Sequence, residues 1–135
     1  MNKITDKELA LLSLEAMKSA YSPYSGFCVG AALLTKDGKV YLGANIENSS
    51  YTPTVCAERV AFFKAVFEGE REFSAIAICG GLNGKVEGLC APCGVCRQVM
   101  SEFCSPDFKV IMVTDNEGNY KEEPLSTMLP YVFKL

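Results

Sequence analysis

The sequence has no histidine at all. Serine–histidine–aspartate and cysteine–histidine catalysis, His-Glu-x-x-His zinc proteolysis and zinc fingers built on a histidine pair are therefore excluded together. Proton transfer falls to carboxylates, lysine, tyrosine or a metal-bound water, and a soft-metal site has only sulfur to draw on. A basic excess is missing as well: 13 Lys and Arg stand against 16 Asp and Glu, a net charge of −3. Without the cationic stripe that displaces counterions from phosphates, a small or neutral ligand is expected rather than a nucleic acid. No apolar run reaches the roughly 20 residues of a membrane span, so no membrane association is expected. The polar opening from Met1 to Glu8 does not read as a cleavable signal. Repeats, low-complexity tracts and linkers are absent too. The 135 residues, 49% hydrophobic and 21% charged, read as one globular domain over 1–135 with a real core.

Cysteine, by contrast, is abundant: Cys28, Cys56, Cys79, Cys90, Cys93, Cys96 and Cys104 make an odd set of seven. With no secretion signal, a reducing cytoplasm is the expected setting. Clustered cysteines there serve metals or catalysis rather than disulfides.

Thr5-Asp6-Lys7-Glu8 forms a capping box that opens a helix, and Ala10, Leu14, Met17 and Tyr21 continue its apolar stripe until Pro23. Apolar runs Phe27–Thr35 and Val40–Ile46 flank Asp37-Gly38, the pattern of a hairpin. A polar loop from Asn48 to Thr54 leads to a helix from about Cys56 to Glu68, stopped by Gly69. Phe73–Cys79 reads as a buried strand ending at Gly80-Gly81, with a loop to Ala91. Pro92 suits a helix first turn, and the helix continues over Cys93–Phe103. Phe108–Thr114 and Tyr120–Glu122 read as strands around a tight turn, and Leu125–Leu129 as a last helical turn. Strand–helix–strand units favour parallel neighbours and helices on both sheet faces. The short final connection requires an antiparallel pair. The expected fold is α/β: an α/β/α sandwich around a mixed five-stranded sheet, its last two strands antiparallel.

Three of the cysteines open two of these helices. Cys56 begins Cys56-Ala57-Glu58, and Cys93 and Cys96 lie in Pro92-Cys93-Gly94-Val95-Cys96. Residues three apart share a helix face, so Cys93 and Cys96 can grip one ion. Thiolates are favoured at helix N-termini. A third sulfur from Cys56 leaves a tetrahedral zinc one open position, as in catalytic sites. Glu58, two residues on, can point beside the metal without binding it and work as an acid–base. Cys-Ala-Glu followed by Pro-Cys-x-x-Cys is also a zinc-deaminase pattern, with Cys where His is commoner.

The chain resembles the small cytidine deaminases that act on free nucleosides and bind zinc through cysteines alone. The resemblance runs through Tyr21-Ser22-Pro23-Tyr24-Ser25, Phe27, Val29–Leu34, Gly43–Asn48, Cys56–Arg59, Pro92–Gln98 and Leu129-Pro130. It implies hydrolytic deamination of cytidine and deoxycytidine to the uridine forms, with ammonia released, in pyrimidine salvage. One zinc per chain would be held by Cys56, Cys93 and Cys96. Glu58 would take a proton from the zinc-bound water, protonate ring N3 and then the departing amine. Asn45 and Glu47 match ribose contacts, Phe27 a pyrimidine-stacking position, and the Ala57 backbone would meet the base edge. Arg59 would hydrogen-bond the zinc thiolates and offset their charge. The resemblance also implies a homotetramer in which Phe133 of one subunit reaches a neighbour's site.

Some segments depart from that pattern. Cys90 adds a thiol at the same three-residue step; it reads as a loop thiol, or as the fourth ligand of a closed structural site that would leave Glu58 without purpose. The Gly80–Ala91 loop and Thr52-Pro53-Thr54-Val55 also differ. Plainer readings exist for several residues: Phe27 as core, Asn45 and Glu47 as turn residues, Arg59 as a solvated charge, Phe133 as a locally packed terminus. Cys28, Cys79 and Cys104 read as buried hydrophobes, and Phe62-Phe63 with Val66-Phe67 as core or subunit interface. The rival functions are deamination of another aminated substrate, such as a nucleoside antibiotic, and a zinc-stapled interaction module without catalysis.

Overall fold

Strands that are apolar at nearly every position need a layer of helix on each face. The computed structural model, which describes residues 3–135, supplies both layers. The elements are α1 (Asp6–Met17), β1 (Phe27–Thr35), β2 (Val40–Ala44), α2 (Ala57–Phe67), β3 (Phe73–Leu82), α3 (Gly94–Phe103), β4 (Lys109–Val113), β5 (Tyr120–Pro124) and α4 (Leu125–Met128). The five strands lie in the order β2-β1-β3-β4-β5.

Alternation along the strands divides the core in two. Ala31 and Leu33 of β1, Ile76 and Ile78 of β3, and Val110 and Met112 of β4 meet Ala57, Ala61, Phe62, Ala65, Cys96 and Met100 of α2 and α3. Their neighbours Ala32, Ala75, Ala77, Ile111 and Val113 face Leu9, Ala10 and Met17 of α1 on the other side. A three-layer sandwich follows, as expected. The α1 cap also forms as read: Thr5 Oγ1 accepts from the Glu8 N–H at 3.1 Å, and the Thr5 N–H donates to Glu8 Oε1 at 2.9 Å.

The sheet corrects one expectation. β3 and β4 are parallel neighbours across α3, with Ala77 opposite Ile111. The β2–α2–β3 unit instead steps over β1, which pairs antiparallel with both β2 and β3. Once the Asp37-Gly38 hairpin has laid β2 on one edge of β1, only the other edge is free for β3. β4 and β5 are antiparallel, as the short turn demands.

Several boundaries move. α1 ends at Met17, and Tyr21 leaves the helix to bridge Ile46. β2 stops at Ala44. β3 continues through Gly80 and Gly81 to Leu82, so these glycines are strand rather than the start of a loop. A Cβ on Gly81 would stand 1.9 Å from the Lys85 carbonyl oxygen, so the strand can lie there only as glycine. Gly43 has the same role in β2: a Cβ there would stand 2.2 Å from the Ala57 carbonyl oxygen. That close approach seats the start of α2 on the sheet.

Candidate metal centre and active site

Both ligand-bearing helices begin one residue later than their sequences suggest. Cys56 is the N-cap of α2 and Cys93 the N-cap of α3, each extended and neither making a side-chain cap bond. Pro92, expected in the first turn, lies just outside the helix and is buried. The cap residue and the third helical residue are the two that a capping box brings together, each side chain accepting from the other's backbone N–H. Here that spacing holds Cys93 beside Cys96, and Cys56 beside Arg59. The geometry that normally satisfies a helix start has been turned over to sulfur.

The Sγ atoms of Cys56, Cys93 and Cys96 all lie within 4.8 Å of one another. Cys56 and Cys93 are 3.7 Å apart. A tetrahedral ion with metal–sulfur bonds of about 2.3 Å spaces its sulfurs about 3.8 Å apart, so the donor set fits zinc. Cys96 is buried, Cys56 half-buried and Cys93 exposed, which leaves the cluster open on one side. Arg59 Nη2 donates to Cys56 Sγ at 3.4 Å. A hydrogen bond from Cys96, joined by those from Arg59 and Cys93, pulls the Cys56 thiol down to about 5 against the effect of burial. Cys96, donating to Cys56 and buried, is pushed up.

Glu58 is 4% exposed, the second residue of α2, and its Oε1 has no hydrogen-bond partner. Burial pushes its carboxyl up to about 7, and the neighbouring Cys56 thiolate adds to the rise. A buried acid with an unpartnered oxygen is costly to keep and serves a stable fold poorly. Beside three thiols it is the mark of acid–base work. Ala57 between them is buried, in the helix turn whose N–H groups have no intrahelical acceptor.

The other expected site residues gather at the start of β1. Phe27 is 40% exposed and therefore not core. It points to the same sheet face as Val29, Ala31 and Leu33, the face covered by α2 and α3. Asn45 is buried; its Oδ1 accepts from the Val29 N–H and its Nδ2 donates to the Phe27 carbonyl, both at 2.9 Å. Glu47 Oε1 accepts from the N–H groups of Tyr24 at 3.0 Å and Ser25 at 3.1 Å, and Oε2 from the Ser25 hydroxyl. That hydroxyl, with the two N–H groups, holds Glu47 below the usual carboxylate range. Both side chains thus brace the segment that carries Phe27.

Phe133 is not brought to the cluster. It is 67% exposed, and its carbonyl accepts from Gln98 Nε2 at 3.1 Å while Lys134 bonds the Ser101 carbonyl. The tail therefore runs along α3 away from Cys93. One supporting residue escaped the sequence reading. Arg97 donates from Nε to the Pro92 carbonyl at 2.7 Å and from Nη1 to the Met128 carbonyl at 2.6 Å, fixing the turn that delivers Cys93. An arginine one turn past a cysteine cap is the signal that could have found it. Of the cysteines read as buried hydrophobes, Cys79 is buried, whereas Cys28 and Cys104 are half-buried.

Residues 3–113 match the family model for the cytidine and deoxycytidylate deaminase zinc-binding region. A cytidine deaminase from Sporosarcina psychrophila is 47% identical over 127 residues, covering 94% of this chain and 90% of the relative. One from Halalkalibacterium halodurans is 50% identical over 121 residues, covering 90% of this chain and 88% of the relative. The crystal structure of cytidine deaminase from Burkholderia pseudomallei superposes with a TM-score of 0.88 at 44% identity, covering 96% of this chain and all of that one.

Proposed function

The chain belongs to the cytidine and deoxycytidylate deaminase family, and from that membership we propose that it hydrolyses cytidine and deoxycytidine to uridine and deoxyuridine, releasing ammonia. The observation that carries the reading is Glu58, a buried acid with an unpartnered oxygen two residues from one thiol of a three-sulfur cluster. Cys56, Cys93 and Cys96 would hold the zinc. When bound, the ion supplies a Lewis acid that makes water a nucleophile at neutral pH.

The chain's own groups do the rest. In the reaction the C4–amine bond breaks, oxygen from water takes its place and two protons must move to nitrogen. A carboxyl near 7 can take and return protons with little penalty either way, which suits one group serving N3 and then the amine. Arg59 offsets the thiolate charge that would otherwise weaken the Lewis acid. Phe27, open to solvent and on the helix-covered face, is the stacking surface for the pyrimidine. The backbone of Ala57 meets the base edge. Asn45 and Glu47 frame the ribose; the hydrogen bonds they already make keep that frame rigid. We assign the working form to a cytoplasmic homotetramer in which Phe133 of a neighbour closes the site. Phe63 and Phe67 support assembly, being 51% and 91% exposed one helical turn apart on α2.

The test is conversion of cytidine to uridine followed by ultraviolet absorbance, with Glu58→Gln alongside. The parent is expected to convert cytidine. The variant should keep its zinc and fold while turnover falls at least about 10²–10⁴-fold, the range for acid–base catalysis. A zinc-loaded parent that leaves cytidine untouched overturns the substrate assignment. A variant that turns over normally overturns the role of Glu58.

A further inference from the structure

Cys90 is the thiol the mechanism does not use. It packs against the core cluster that contains Ala57, Ile78 and Cys96, on the side of the sheet where the metal ligands lie. Gly80 falls on that same face, two residues beyond Ile78 in β3. A Cβ added to Gly80 would stand 2.6 Å from Cys90 Sγ and 2.9 Å from Cε2 of the Phe27 ring. The sulfur and the aromatic edge therefore meet over a glycine, each occupying space that any side chain there would take. Phe27 and Gly80 also line an open hollow with Leu82, Asn83 and Leu89, so this junction borders solvent-accessible space.

We propose that Cys90, seated over Gly80 against Phe27, is the specificity-determining wall that decides which substituents on the pyrimidine ring are admitted. The inference rests on the cytidine reading above. The ring's N1 carries the sugar, and its O2, N3 and amine are polar, the last two served by Glu58. The remaining C5–C6 edge is apolar and needs an apolar neighbour. A half-buried thiol and a bare glycine supply one, with room set by a single sulfur atom.

The experiment compares kcat/KM for 5-methylcytidine and cytidine in the zinc-loaded parent, Cys90→Ala, Cys90→Leu and Gly80→Ala. One methyl-sized change in an apolar pocket shifts discrimination by about 10–200-fold. Cys90→Ala is expected to raise the 5-methylcytidine to cytidine ratio at least about tenfold, while Cys90→Leu and Gly80→Ala lower it. Zinc content should stay equal to the parent's in all of them. A ratio that Cys90→Ala leaves unmoved, with cytidine still converted, overturns the wall and leaves the enzyme assignment standing. Loss of zinc from Cys90→Ala also overturns it, by making the thiol a ligand. A parent that neither converts nor binds cytidine, with binding followed by calorimetry, overturns both readings.

Discussion

Glu58 works against the stability of its own fold. A free glutamate ionises near 4.5, whereas burial holds this one protonated up to about 7. Between those values the folded chain keeps a proton that the unfolded chain has lost, so stability falls as pH rises from about 4.5 to about 7. Each pH unit of that interval corresponds to about 1.4 kcal/mol, which makes the penalty above neutrality on the order of 3 kcal/mol. Zinc-free Glu58→Gln is therefore expected to be more stable than zinc-free parent at pH 8, and to lose that advantage near pH 4. Urea denaturation at both pH values reads the difference; equal midpoints at pH 8 would mean the carboxyl is not strained. Two half-buried thiols sit at the opposite extreme: loss of solvent pushes Cys90 and Cys104 up to about 12, so neither offers a thiolate at neutral pH.

Among the elements, β2 and α2 meet where a side chain would not fit. Gly43→Ala would press a Cβ against the Ala57 carbonyl, which is helix backbone and cannot swing aside. The expected result is a loss of about 1–3 kcal/mol in stability together with weakened zinc binding. Thermal unfolding and metal analysis would measure the two effects, and an unchanged metal content would show that Cys56 does not depend on this contact. How legible such features were depends on how local they are. Cys56-Ala57-Glu58 and Pro92-Cys93-Gly94-Val95-Cys96 were readable because their spacing already fixes which side chains share a helix start. The hairpin at Asp37-Gly38 and the capping box at Thr5 were readable for the same reason. Gly80 and Gly81 were not, since glycine breaks strands by local preference and only the approach of Cys90, Phe27 and Lys85 explains them in β3. Tyr21 kept the period of α1 but is taken by Ile46. That β1 lies between β2 and β3 is a fact about free sheet edges, which no helix pattern encodes. The bracing of Phe27 by Asn45 and Glu47 joins residues 16 to 23 apart in sequence, outside any local motif.

The whole molecule presents aromatic side chains it does not cover itself, on α2 and along the tail. If Phe133 completes a neighbour's site, Phe133→Ala should remain assembled while kcat/KM for cytidine falls roughly tenfold, the equivalent of about 1.4 kcal/mol of lost contact. Mixed assemblies of Phe133→Ala with Glu58→Gln chains should recover activity, because some sites then receive an intact acid and an intact phenylalanine from different chains. Size-exclusion chromatography with kinetics on the mixture would decide it; no recovery would place the tail outside the site. The ligand cysteines have a consequence for the chain as a polymer. Cys56 and Cys93 stand 37 residues apart, with all of β3 between them. An ion gripped by both closes that stretch into a ring, as a covalent bridge would. A permanent link of that span removes about 4 kcal/mol of freedom from the disordered chain. The same ion that readies water would thus act as a removable cross-link, tying the lifetime of the fold to the supply of metal.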